Sequence, residues 1–159
     1  MSFEVHIRKA RRSEADDLGE VFFKAVREGP SPYTEAQRAA WAPAPRTGAD
    51  WADRVFAGEV MTAEAGDGSL AGFVTMDATG YSDFAYILPE ARGRGLFRRL
   101  YTPLEADALA AGARRFSTHA SLMARPAYEA VGFSVVRDET VEVNGERLDR
   151  FDMEKLTGA

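Results

Sequence analysis

The chain contains no cysteine, so it has no disulfide framework, no thiolate metal site and no cysteine nucleophile. It holds only two histidines, far apart at His6 and His119, and no metal site is expected of them. No run approaches the roughly 20 apolar residues that cross a bilayer. The segment "MSFEVHIRKARR" lacks a signal peptide's order of basic, apolar and small-residue regions. No membrane association is expected, and the simplest location is the cytoplasm. A general excess of positive charge is missing too, because the net charge is −5. Nucleic-acid binding, which ordinarily needs a basic surface to neutralise many phosphates, is therefore not expected. With 159 residues, no internal repeat and no linker, the whole chain (1–159) is expected to form one domain.

What is present alternates between strand and helix patterns. Phe3, Val5 and Ile7 alternate with polar residues as in a half-buried strand. Ser13 and Asp16 resemble a capping box for a helix carrying Leu18, Val21, Phe22, Ala25 and Val26, which Gly29-Pro30 ends. Thr34 and Gln37 form a second capping box for a short helix holding Trp41, and a third short helix covers Asp50 to Ala57. Three strands follow, at Glu59–Ala65, Leu70–Asp77 and Tyr81–Leu88. Leu96, Leu100, Leu104, Ala108 and Ala111 mark a long helix closed by Gly112, with Pro103 expected to kink it. "RRFSTHA" reads as a strand, Pro126 opens a short helix that Gly132 closes, and Asn144-Gly145 turns a closing hairpin. The fold class is α/β, with a mixed, mostly antiparallel sheet and one strand–helix–strand crossover.

The stretch "PEARGRGLFRRL", Pro89 to Leu100, combines two glycines with four arginines between a strand and a helix. The first helical turn leaves N–H groups unpaired, and the helix dipole favours negative charge there. Gly93 and Gly95 permit a tight turn and close backbone approach. Arg92, Arg94, Arg98 and Arg99 can add charge-assisted contacts to a phosphate. The plain alternative is a helix start with solvated arginines. A dinucleotide fingerprint fits poorly, since the glycine pattern is too short and the preceding strands are antiparallel. A P-loop is excluded by the lack of Gly-Lys-Ser/Thr.

"YSDFAYILPEARGRG" and, further on, "HASLMARPAYEAVGF" together resemble the GNAT superfamily of acetyl-CoA-dependent N-acetyltransferases. The first resembles its motif Arg/Gln-x-x-Gly-x-Gly/Ala, carried by Arg92 and Gly95. The second places Ala124, Tyr128, Gly132 and Phe133 at the spacing of the later motif. "YTEAQRAAWA", the Asp50-Trp51 pair and "VEVNGERLDRFDMEKL" resemble the YafP-like branch. The resemblance implies a sheet splayed between its fourth and fifth strands, flanked by about four to five helices and closed by a C-terminal β-hairpin. It also implies acetyl-CoA as co-substrate, bound along Tyr86, Ile87, Leu88, Arg92, Gly93, Arg94, Gly95, Leu96, Phe97, Arg98, Ser121, Ala124 and Tyr128. Two residues depart from the pattern. Phe97 stands where Gly or Ala is usual and must turn toward the core or shift the cofactor. Ser121 stands where many members have Asn, and its reach is shorter.

The chemistry implied is direct attack of a neutral amine on the thioester. Backbone N–H groups around Tyr86, Ile87 and Leu88 would polarise the carbonyl. Tyr128 matches the general acid, a phenol whose ordinary pKa of about 10 suits a departing thiolate. Asp83 and His119 are candidates for the base, Asp83 because desolvation on a central strand would raise its pKa. For each the alternative is a satisfied polar strand residue. Tyr33, Trp41 and Tyr81 are candidate acceptor-pocket residues, and Trp51 an aromatic of the same stretch. The acceptor is expected to be a small-molecule amine, slightly favoured to be cationic by the chain's acidity. A homodimer is left open. A second reading is a non-catalytic CoA-binding sensor or interaction module, which shares the turn but lacks working acid–base groups.

Overall fold

The computed structural model describes residues 4–157, so Phe3 of the expected first strand lies outside the described residues. Strand β1 (Val5–Lys9) leads through a 3-10 turn into helix α1 (Ala15–Arg27), followed by α2 (Glu35–Trp41) and α3 (Ala49–Val55). Strands β2 (Glu59–Ala65), β3 (Leu70–Met76), β4 (Tyr81–Ser82) and β5 (Ala85–Ile87) precede helix α4 (Leu96–Ala110). Strand β6 (Arg115–Ser121), helix α5 (Arg125–Ala130) and the hairpin β7 (Ser134–Val143) and β8 (Glu146–Leu156) complete the chain.

Two four-stranded sheets result, ordered β1-β2-β3-β5 and β4-β6-β8-β7. All pairings are antiparallel except β4 with β6, the crossover through α4. Strand β3 is buried along its whole length, because helices cover both faces of its sheet. Leu18, Val21, Phe22 and Val26 of α1 pack with Trp51 and Val55 of α3 against Leu70 and Phe73. On the other face Leu96, Leu100, Tyr101 and Leu104 of α4 meet Met61, Val74 and Met76. Each fully buried large apolar side chain contributes about 1.5–3 kcal/mol, which makes these faces the main source of stability.

The stretch expected as one strand, Tyr81–Leu88, is divided. Its partner β3 shows why: Asp77 N–H donates to the Tyr81 carbonyl and Thr75 N–H to the Phe84 carbonyl. Three residue steps on one strand thus oppose two on the other, a bulge that carries one extra residue. Phe84 N–H is taken by the Thr75 hydroxyl at 3.0 Å. Before the bulge the chain also pairs with β6; after it, the β6 side is open.

One local expectation changes. Ser13 does not cap α1. Glu14 does the capping work one turn earlier, taking the Arg11 N–H at 2.8 Å and two bonds from Arg8 at 2.9 and 2.7 Å. A bidentate arginine offers more than a serine hydroxyl can. The long helix ends at Ala110, and Gly112, at φ 101°, turns the chain away. The Thr34–Gln37 capping box forms in both directions, and Asn144-Gly145 adopts positive φ at both positions, as its hairpin turn requires.

The Arg8 hydrogen bonds, helped by the Arg11 N–H, hold the Glu14 carboxyl down at about 2 from its ordinary 4.5. A depressed folded-state pKa contributes stability above the unfolded value and loses it as pH falls through the folded one. The thermal stability of wild type should therefore fall as pH drops from 4.5 to about 2. Glu14→Gln should lower Tm at neutral pH and show a shallower decline across that interval. Parallel curves for the two proteins would refute the assignment.

Candidate functional site

Where β5 and β6 part, the backbone decides what faces the opening. Leu88 N–H donates to the Ala71 carbonyl at 2.9 Å, and Ile87 sits opposite Gly72 and Tyr86 opposite Phe73. Antiparallel pairs alternate between bonded and unbonded, so Tyr86 is tied to β3 like Leu88, while Ala85 and Ile87 turn their N–H groups to the open side. Of the three backbone donors expected from the sequence, only Ile87 therefore faces the cleft. Tyr86 and Leu88 belong to the ladder. Ala85, which the sequence did not single out, joins Ile87.

Below this edge a cleft of about 400 Å³ is lined by Ile87, Gly93, Gly95, Leu96, Phe97 and Arg98 on one side and Ser121, Ala124 and Pro126 on the other. Gly95 precedes α4 at φ 73° and Gly93 has φ 74°. A Cβ at either would meet nothing within 4 Å, so the space before the turn is open. The α4 terminus has no side-chain cap and no acidic residue in its first turn. Its orphan N–H groups are thus left for a ligand.

The arginines divide in their roles. Arg92 is a clamp, its Nε on the Ile87 carbonyl at 3.1 Å and its Nη2 on the Ala25 carbonyl at 2.8 Å. Burial pulls its pKa down. Its guanidinium ties β5 to α1, which corrects the expectation that it serves a phosphate. Arg98 reaches across the cleft to the Ala130 carbonyl at 2.5 Å, and Arg94 is exposed at the turn. Phe97 turns toward the core, its ring stacked 5.7 Å from Tyr101 and edge-on 4.9 Å from Tyr128. Ser121 accepts the Ala124 N–H at 3.1 Å, which shapes the entry to α5.

On the opposite side of the parting strands lies a second cavity, about 160 Å³, whose walls include Tyr33, Trp41, Tyr81, Asp83, His119 and Tyr128. The two cavities share Trp41, Ala85, Tyr86, Ser121 and Ala124. Tyr128 is 2% exposed, with its hydroxyl 2.7 Å from that of Ser82. Burial raises its pKa, and bonds from Ser82 and Thr118 offset this only in part. The phenol is therefore a held proton, poised as a donor.

Asp83 is not desolvated as the sequence suggested. Its side chain is 32% exposed and faces Arg54 at 3.4 Å through two contacts. His119 Nδ1 lies 3.3 Å from Glu139 without the alignment of a hydrogen bond, and its ring meets Tyr81 edge-on at 5.8 Å. Burial, reinforced by Asp83, pushes the Tyr81 phenol up to about 12. Tyr33 gives its hydroxyl to the Asp149 carbonyl at 2.6 Å and accepts the Leu122 N–H at 2.9 Å, so only its ring is presented. Trp51 is a core residue donating to the Ala15 carbonyl at 2.7 Å. The sequence reading missed Arg46, Arg54, Thr118 and the hairpin residues Val141, Val143 and Leu148, which also line this cavity, and Ser82, whose hydroxyl meets that of Tyr128. None of them carries a spacing signal. Among the described residues no group of three or more His, Asp or Glu side chains could hold a metal ion, and no helix is long and apolar enough to cross a membrane.

A family model described as an acetyltransferase (GNAT) domain matches residues 32–156. A GCN5-related N-acetyltransferase from Rhodopseudomonas palustris superposes with a TM-score of 0.87 at 26% identity, covering 98% of both chains. A GNAT superfamily phosphinothricin acetyltransferase from Sinorhizobium meliloti, solved in complex with acetyl-CoA, gives 0.67 at 20% identity over 97% of this chain and 89% of that one. An N-acetyltransferase from Staphylococcus aureus gives 0.66 at 18% identity over 96% and 98%. The last two speak for the fold alone. No curated protein matches the sequence significantly.

The open turn before α4 yields a direct test. Gly95→Asp places a carboxylate among the orphan N–H groups and should weaken CoA binding at least about tenfold by calorimetry. Gly95→Ala, which carries the positive-φ strain without the charge, should lose far less. Equal CoA affinity in wild type and Gly95→Asp would dismiss the turn as the phosphate site.

Proposed function

Because the chain belongs to the GNAT acetyltransferase family, and so to the acyltransferases, we propose that it transfers an acetyl group from acetyl-CoA to a primary amine of a small molecule. One observation carries the reading: an anion-ready cleft and a small polar-floored cavity meet where Ala85 and Ile87 turn unpaired N–H groups outward. The acetyl-CoA bound to the Sinorhizobium meliloti protein supports the choice of co-substrate. The residues of the cleft fit such a molecule. Open backbone at Gly93 and Gly95 and the first-turn N–H groups of α4 would hold its phosphates, and apolar Leu96, Ala124 and Val131 would flank its arm. The hairpin sequence of β7 and β8 supports placement in the YafP-like branch.

When bound, acetyl-CoA would supply an activated thioester. The acceptor nitrogen would bond to its carbonyl carbon while the C–S bond breaks, the amine's proton going to the base and the departing thiolate taking one from the acid. The chain's own residues then have separable tasks. The N–H of Ile87 offers a preorganised donor to developing oxyanion charge. Tyr128 holds a proton at its hydroxyl, kept neutral by burial and oriented by Ser82. His119 lines the acceptor cavity with its Nδ1 enclosed beside Glu139 at 3.3 Å, so Nε2 is the ring nitrogen that would take a proton. It is preferred as base over Asp83, which faces Arg54. The second cavity, about 160 Å³, has room for the amine end of an acceptor.

Tyr128→Phe should keep the fold, since the ring packs among Phe97 and Phe133. It should lower kcat for acetylation about a hundredfold or more while CoA affinity stays at the wild-type value. Unchanged turnover would remove Tyr128 from the chemistry.

A further inference from the structure

The acceptor cavity contains a cation that has no hydrogen bond or ion pair to any of the described residues. Three arginines line it: Arg46, Arg54 and Arg150. Arg54 faces Asp83 at 3.4 Å, and Arg150 binds Glu139 at 2.9 Å. Asp149, the other acidic residue of the lining, accepts the Thr140 hydroxyl at 2.8 Å on the exposed side of the hairpin. Of the three, Arg46 is the one that donates no hydrogen bond to, and forms no ion pair with, any of the described residues. Its guanidinium lies over the rings of Phe22, at 5.0 Å, and Trp51, at 5.6 Å. Aromatic faces hold the plane of a guanidinium but leave its five N–H donors unmet.

That placement is built rather than accidental. Gly19 of α1 has no side chain where one would stand 1.9 Å from the Arg46 carbonyl oxygen, so this glycine lets the loop before α3 seat directly on the helix. Trp51 is fixed in turn by its bond to the Ala15 carbonyl at 2.7 Å. Burial and the neighbouring charge of Arg54 both disfavour the cation, and pull the Arg46 pKa down. A half-buried guanidinium without an acceptor is costly unless a ligand brings one. A planar fork beside a second arginine fits a carboxylate, which it can bind through two parallel hydrogen bonds.

We propose that the acceptor is an amine that also carries a carboxylate, an amino acid or close relative, and that Arg46 selects it by holding that carboxylate. This rests on the acetyltransferase reading, of which it specifies the substrate class. It also reverses the cationic preference suggested by the net charge of −5. The acidity is spread over the whole surface, whereas the cavity's own unpaired charge is positive. The aromatic walls formed by Tyr33, Trp41 and Tyr81 leave room for an apolar or aromatic side chain.

The test uses matched pairs: each standard amino acid available as its decarboxylated amine, such as methionine with 3-(methylthio)propylamine and phenylalanine with phenethylamine. Binding to the CoA-loaded protein is measured by calorimetry, and acetylation by thiol release. At least one acid should bind about tenfold to a hundredfold more tightly than its amine. Arg46→Gln should erase that preference by raising KM for the acid with little change in kcat, and Arg46→Lys should restore part of it. CoA affinity and Tm serve as controls for folding of both variants. If acid and amine bind alike, if only amines bind, or if neither binds while CoA does, the carboxylate assignment is overturned and the acetyltransferase reading stands. If wild type fails to bind CoA at all, the parent reading falls and this one with it.

Discussion

The run from Tyr81 to Ile87 serves two sheets in succession, and a strand can do this only by giving up a partner on one side for part of its length. The extra residue between the Asp77 and Thr75 contacts makes the change. Before it, Tyr81 and Ser82 pair with β6; after it, Ala85 and Ile87 present backbone donors to open space. Unpaired donors in the middle of a protein are unfavourable, and here the surrounding structure tolerates them by placing a cavity on each side. The Arg92 clamp, the Gly95 turn and the Tyr128 hydroxyl all converge on this gap. Closing the gap would satisfy the backbone and abolish the site.

Burial sorts the polar groups around the gap into distinct roles. Tyr128, Tyr86 and Tyr81 all have pKa values raised by desolvation, so the walls hold protons firmly across ordinary pH. The Ser82 hydroxyl gives the Tyr128 oxygen a fixed direction, and the Thr118 hydroxyl holds that segment by donating to the Ser82 carbonyl at 2.8 Å. Charges lie farther out and are mostly matched, as with Arg54 and Asp83 or Arg150 and Glu139. Dry dipoles at the floor and paired charges at the rim favour a transition state that develops charge where the groups are already oriented.

Much of this fold was legible because its signals are local. The Thr34–Gln37 box, the Asn144-Gly145 turn, the β2 limits and the leucine stripe of α4 each depend on residues a few positions apart. The capping role of Glu14 was hidden because it depends on Arg8 of a neighbouring strand. The split of Tyr81–Leu88 was hidden because a bulge is a property of two strands. In the site, the glycine turn and Tyr128 could be read from spacing. Arg92 could not be distinguished from a phosphate ligand, since its partners, Ala25 and Ile87, are carbonyls of ordinary residues. Arg46 carried no signal at all, because its position comes from a missing side chain at Gly19.

The hairpin turn has a temporal meaning. Asn144 donates to the Ala40 carbonyl at 2.7 Å, Gln37 to that of Arg147 at 2.8 Å, and Tyr33 to that of Asp149 at 2.6 Å. These contacts join residues 33–40 to residues 144–149, the longest separations spanned by side-chain hydrogen bonds among the described residues, and such closures come late. The cleft before α4 draws its lining from residues up to Val131, whereas the acceptor cavity needs Val141, Val143 and Leu148. A chain emerging from the ribosome therefore possesses every lining residue of the cleft before α4 while the hairpin wall of the second cavity has yet to be synthesised. The enclosure of the second cavity is thus completed last as the polypeptide is made.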